Sequence, residues 1–119
     1  LFSSIGDVVL VGEEDLSPAT LLSSCGPGLL AAIIEELAGA TARASGLAPD
    51  QTLLLATEMV TATAAYLRET GKAPGDLIGE VATGGGVTEV GVEIFQDRLP
   101  TVFDEAFAAM LERYGAVGK

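Results

Sequence analysis

The sequence predicts an all-α domain, and three features carry that reading. All five prolines, Pro18, Pro27, Pro49, Pro74 and Pro100, stand where a helix could begin, because the missing proline N–H would be unpaired in a first turn anyway. Apolar residues recur at helical spacing, as in Leu30, Ile33, Ile34, Leu37, Ala40 and Ala44. Only one stretch, DVVLV at residues 7–11, has the β-branched character of a strand. One strand cannot make a sheet, so its partners would lie in another chain or in a preceding N-terminal part.

The elements follow in order. A first short helix is expected over 18–24, with Ser17 as its N-cap. A longer one covers 27–45 and stops at Gly46, a natural residue after a helix end. The third spans 49–70, carries Asp50 in its first turn and stops at Gly71; the carboxylate favours the positive end of the helix dipole. Its apolar residues, among them Leu53, Leu54, Leu55, Met59, Val60 and Leu67, cover most of its girth, which predicts burial on several sides. Shorter helices follow over 74–81, 87–97 and 100–114. This makes about six helices joined by short loops, with no repeats, no low-complexity tract and no long linker.

Composition narrows the function. The chain has 119 residues, the size of one domain. Apolar residues form 49% of it, high for a lone monomer, which points to a partner covering part of the surface. Six basic residues against 17 acidic ones leave a net charge of −11. That disfavours nucleic acid, whose phosphates require Lys and Arg, and anionic membrane surfaces. Histidine is absent, which removes Ser-His-Asp chemistry, Cys-His chemistry and His-based metal sites from this chain. The lone Cys25 cannot form an intrachain disulfide. It fits a cytoplasmic location, and no metal is expected. The longest apolar run, GPGLLAAIIEELAGA, is cut by Glu35 and Glu36, short of the ~20 residues of a bilayer span. No basic region precedes an apolar one, so no signal peptide is read. The opening Leu1 suggests a fragment or a processed piece of something longer.

Two stretches are candidates for a site. In VATGGGVTEVG, residues 81–91, three glycines run into a helix. Unpaired amides at a helix start favour anions, and glycine lets a ligand approach the backbone. Free amides are expected around Gly86, Val87 and Thr88, with the hydroxyls of Thr83 and Thr88 beside them, a geometry that suits a carboxylate. The segment is not a P-loop, which requires Lys-Ser/Thr after the last glycine. The pattern alone is weak and fits better a flexible helix-to-helix turn in which Thr88 merely caps. The second stretch is SSCGPG, residues 23–28. Gly26-Pro27 marks a turn before a helix, and Cys25 reads as a small core residue. No base or cation that would activate its thiol is visible nearby.

Taken together, and at this separation, the two stretches resemble the C-terminal domain of pyrroline-5-carboxylate reductases. That family carries Ser-Gly-Ser-Gly-Pro-Ala at the start of a long helix, and later Ser/Thr-Pro-Gly-Gly-x-Thr at the start of another. SSCGPG and TGGGVT stand at those places, and LFSSIGDVVLVGEEDL is similar to the family's Leu-Phe-x-x-Ile/Val-Gly segment. The resemblance implies that residues 1–13 are the end of a Rossmann domain and 14–119 an interleaved homodimerisation and substrate-binding domain, with higher oligomers as an extension. It implies NADPH or NADH bound by the absent N-terminal domain, none in this chain, and reduction of 1-pyrroline-5-carboxylate to L-proline. The substrate carboxylate would meet Thr83, Gly85, Gly86, Val87 and Thr88. No catalytic acid or base is implied here, and the fragment alone would be inactive.

The sequence departs from the family pattern at Gly84, where proline is usual, and at Ser24, Cys25 and Gly28. Two further readings therefore stand beside the first. One is a related reductase of another small imine or acid. The other is a non-catalytic all-α module that uses the fold only to dimerise.

Overall fold

The computed structural model describes residues 19–117, with side chains to residue 115. The expected strand at 7–11, the boundary at residue 13 and the Ser17 cap lie outside the described residues. Every element within them is helical. The described residues fall into two compact units, Ile34–Phe103 and a second that holds residues 19–33 and 104–117.

A π-helical turn, Leu21–Cys25, runs into α1, Gly26–Ser45. The break expected at Gly26-Pro27 does not occur: the helix is continuous over Leu21–Ser45. Its reason is local. Pro27 has no N–H to donate, and its ring crowds the carbonyl four residues back. The wider π turn relieves that crowding, and the Gly26 amide donates to both Leu21 O and Leu22 O. Cys25 is exposed rather than part of a core. By length and composition alone this 25-residue helix could cross a bilayer, contrary to the sequence expectation. Glu35 and Glu36 lie within it and are exposed, and charged groups at bilayer depth are costly.

Helix α2, Pro49–Thr70, starts from an extended Ala48 with Pro49 in the first turn and Asp50 beside it. Gly46 and Gly71 end α1 and α2 in the left-handed conformation, with φ of 78° and 71°. Their amides donate to Ala42 O and Leu67 O, each at 2.9 Å. Helix α3, Pro74–Val81, opens in the same way after an extended Ala73. Asp76 closes its first turn by accepting the Ala73 amide at 3.1 Å.

Helix α4, Val87–Val117, replaces the two helices expected over 87–97 and 100–114. Pro100 lies inside it. The stripe Val92, Phe95, Leu99 and Phe103 continues at helical spacing through the proline, and that continuity outweighs the lost ladder bond. The described residues thus hold four α-helices and one π turn.

Burial is sparse. Leu21 is buried in one unit and Ala38 and Ala56 in the other, together with Thr52. Leu30 and Ile33 of the expected α1 stripe remain exposed, as do Leu53, Leu54, Leu55 and Met59 of α2. The threonines of α2 hide their polarity: the Thr57, Thr61, Thr63 and Thr70 hydroxyls each donate to the carbonyl four residues back. The helix surface is therefore more apolar than its composition suggests.

α3 is tied to α2 by a polar network. Lys72 Nζ donates to Glu80 Oε2 at 2.8 Å and to the Tyr66 hydroxyl at 2.9 Å. The Tyr66 hydroxyl donates to the Glu80 carboxylate at 3.2 Å. The Lys72 ammonium holds the Glu80 carboxyl below the usual carboxylate range, desolvation opposing and Tyr66 assisting. Glu80, followed by Tyr66, raises the Lys72 ammonium above its ordinary value.

Two predictions follow from this geometry. Gly71 has open space around it but a positive φ, whereas Gly79 has open space and no positive φ. Gly71→Ala should therefore destabilise by ~1 kcal/mol and Gly79→Ala stabilise by ~0.5–1 kcal/mol, read by denaturant unfolding at fixed protein concentration. The network should be intact from above the ordinary glutamate range to below the ordinary lysine range. It should be lost as pH falls through the lowered Glu80 value or rises through the raised Lys72 value. In a carboxyl NMR titration Glu80 should titrate below the ordinary glutamate range, and Lys72→Met should move it back up.

Candidate functional site

The glycine segment forms a tight turn between α3 and α4. The Gly86 amide donates to the Thr83 carbonyl at 2.9 Å. Gly85, at the third turn position, has φ 76°, which a type II turn demands and a side chain would strain. Gly86 is required for a different reason. A Cβ there would stand 2.8 Å from Thr83 Oγ1 and 3.0 Å from the Thr83 carbonyl oxygen. The backbone has thus folded so closely on Thr83 that its hydroxyl lies over the entrance to α4. Gly84 has neither constraint: its φ is not positive and its nearest neighbour is Glu89 Oε2, 3.8 Å from a built Cβ.

This geometry corrects one expectation. The Gly86 amide is consumed by the turn and is not free in this conformation. The amides of Val87 and Thr88 open α4, where the helical ladder offers them no partner, and no hydrogen bond outside the ladder involves them among the described residues. Thr83, Gly85, Val87 and Thr88 are exposed and Gly86 is half-buried.

Val87 and Thr88 also line one end of an apolar groove of 680 Å³. Its walls are Ile78 of α3 and a face of α4 that includes Val92, Phe95, Leu99 and Phe103, with Gln96 as its second polar side chain. The turn and the groove both lie within the Ile34–Phe103 unit. No ionisable side chain lines the groove. Half-buried Glu89 brings a carboxylate oxygen to 3.8 Å from a Cβ built at Gly84. An anion here would be held by amides, hydroxyls and the helix dipole, against the like charge of Glu89.

The sequence reading identified the turn but missed the groove. Val92, Phe95, Leu99 and Phe103 sit at the spacing of an ordinary core stripe, and exposure, of Phe95 in the stripe and of Val87 at its end, distinguishes the groove from a core. Cys25 and the rest of SSCGPG lie outside the Ile34–Phe103 unit. Among the described residues no group of three or more His, Cys, Asp or Glu could hold a metal ion.

The two glycines flanking Gly85 should respond oppositely to substitution. Gly86→Ala should distort the turn and destabilise the protein by ~1–3 kcal/mol, because a carbonyl cannot yield as a flexible side chain would. Gly84→Pro should stabilise it by ~0.4–1 kcal/mol, since the second position of a type II turn favours proline. Thermal unfolding of the two variants checks both signs.

Comparison with known proteins identifies the family. The family described as pyrroline-5-carboxylate reductase dimerisation matches residues 13–117. The chain is 34% identical to pyrroline-5-carboxylate reductase 3 of Bacillus subtilis over 96% of its own length and 42% of the relative's. It is 38% identical to the pyrroline-5-carboxylate reductase of Glycine max over 77% of its length and 33% of the relative's. For the Synechocystis pyrroline-5-carboxylate reductase the identity is 32%, over 100% of this chain and 45% of the relative. The chain thus spans less than half the length of these relatives. No solved structure matches it significantly. With a family match over nearly all of its length, the chain belongs to the pyrroline-5-carboxylate reductase dimerisation family.

Proposed function

We propose that this chain is the C-terminal domain of an NAD(P)H-dependent pyrroline-5-carboxylate reductase, with residues 14–119 supplying a homodimer interface and the site for the substrate carboxylate. Residues 1–13 close a preceding nucleotide-binding domain. The reaction is reduction of 1-pyrroline-5-carboxylate to L-proline in the cytoplasm, without nucleic acid or membrane as partner. The observation that carries the reading is the turn that packs Thr83 onto Gly86 and leaves the Val87 and Thr88 amides open beside an apolar groove.

The described residues do not fit a dinucleotide. The glycine turn follows a helix rather than a strand, and the GxGxxG spacing of a pyrophosphate loop is missing from it. NADPH or NADH therefore belongs to the rest of the protein and supplies the hydride when bound. The chain's own residues bind and orient. The carboxylate accepts from the Val87 and Thr88 amides and from the Thr83 and Thr88 hydroxyls. The ring lies along the apolar groove. The exposed apolar residues of α1 and α2 support a second copy as their cover.

A related reductase of another small imine or acid is the second reading. Gly84, with Glu89 beside it, favours that reading, because both alter the edge of the carboxylate site. The complete protein should turn over 1-pyrroline-5-carboxylate with NADPH or NADH. Thr88→Ala should lower kcat/KM by about 10- to 100-fold, the worth of one hydrogen bond to a charged group, with the dimer intact. A folded, cofactor-binding dimer without turnover on this substrate would favour the second reading. Failure on every small imine would leave a non-catalytic dimerisation module.

A further inference from the structure

Helix α3 has eight residues and none of them is buried. A helix so short does not hold itself in water. Its place depends on what grips it from α2. Half-buried Leu77 and exposed Val81 line an open groove of 350 Å³ with Ala62 and Thr63, and half-buried Ile78 lines the groove at the start of α4. The directed contacts are those of Glu80, which takes the Lys72 ammonium at 2.8 Å and the Tyr66 hydroxyl at 3.2 Å. Lys72 Nζ is also 5.4 Å from the centre of the Tyr66 ring. Glu80 lies three residues before Thr83, whose carbonyl closes the glycine turn.

We infer that the Tyr66–Lys72–Glu80 network positions the glycine turn, by fixing the C-terminal end of α3 on α2 so that Thr83 and the Val87 and Thr88 amides are held in one arrangement. Its meaning for binding rests on the carboxylate reading of that turn. None of the three residues lines the groove at the start of α4, so they are positioning residues and touch no substrate. The side chains of Lys72 and Glu80 are 40% and 42% exposed, and an exposed ion pair adds little to global stability. Local opening of a marginal segment is a smaller free energy than global unfolding. A contact too weak to shift the melting temperature can therefore still govern how often the turn is formed.

The test uses the complete protein and three variants, Tyr66→Phe, Lys72→Met and the charge-conserving Lys72→Arg. Deuterium uptake of the peptide spanning 82–90 is read beside KM and kcat for 1-pyrroline-5-carboxylate. Tyr66→Phe and Lys72→Met should each raise that uptake about threefold or more, while uptake in α2 and the oligomeric state stay unchanged. KM should rise by about threefold or more with kcat held within about twofold. Lys72→Arg should restore both readouts. Unchanged uptake over 82–90 would overturn the inference, as would a rise spread equally through α2 or a rise without any change in KM. A wild-type protein inactive on this substrate would remove the substrate reading alone, and the contrast in uptake would then decide the network by itself.

Discussion

The constraint on which everything else depends is a shortage of burial. Among the described residues only Leu21, Ala38 and Ala56 are buried apolar side chains. Helices of this length gain most of their stability from packing an apolar face rather than from propensity. Leucines stand exposed on α1 and α2, and the α2 threonines turn their hydroxyls into their own backbone. Such a surface requires a cover of the same character. A dimerisation family match over residues 13–117 agrees with that requirement.

The site follows from the same scaffold. Helix α4 brings an apolar face to the groove and an open N-terminus to the turn. The turn is defined by one bond, Gly86 N–H to the Thr83 carbonyl, and by the lack of room for a side chain at Gly86. No ionisable side chain lines the groove, so under the proposed function the binding groups are amides and hydroxyls rather than charged side chains. Amides at a helix start favour an anion without titrating near neutral pH, and under the proposed function the hydride comes from a nucleotide held elsewhere.

The parts of the fold that the sequence made legible are those decided locally. Gly46 and Gly71 end helices because the left-handed backbone there needs glycine, and Pro49 and Pro74 begin them after extended residues. Pro27 and Pro100 carry the same signal but lie inside continuous helices. In those two cases neighbouring geometry decides the outcome: a π turn relieves Pro27, and an unbroken apolar stripe carries α4 past Pro100. Cys25 looked like a core residue by type and is exposed by position. At the site, the glycine turn was legible from composition, whereas consumption of the Gly86 amide depends on the turn type that Gly85 adopts. The groove was not legible, because Val92, Phe95, Leu99 and Phe103 have the spacing of any buried stripe.

The proposed function turns on whether the start of α4 receives a carboxylate. The most direct measurement is amide NMR of the ¹⁵N-labelled complete protein, titrated with L-proline and, separately, with pyrrolidine, which has the ring but no carboxylate. The Val87 and Thr88 amide resonances should move with L-proline and stay in place with pyrrolidine. Equal shifts with both ligands, or shifts from L-proline confined to residues remote from the turn, would contradict it.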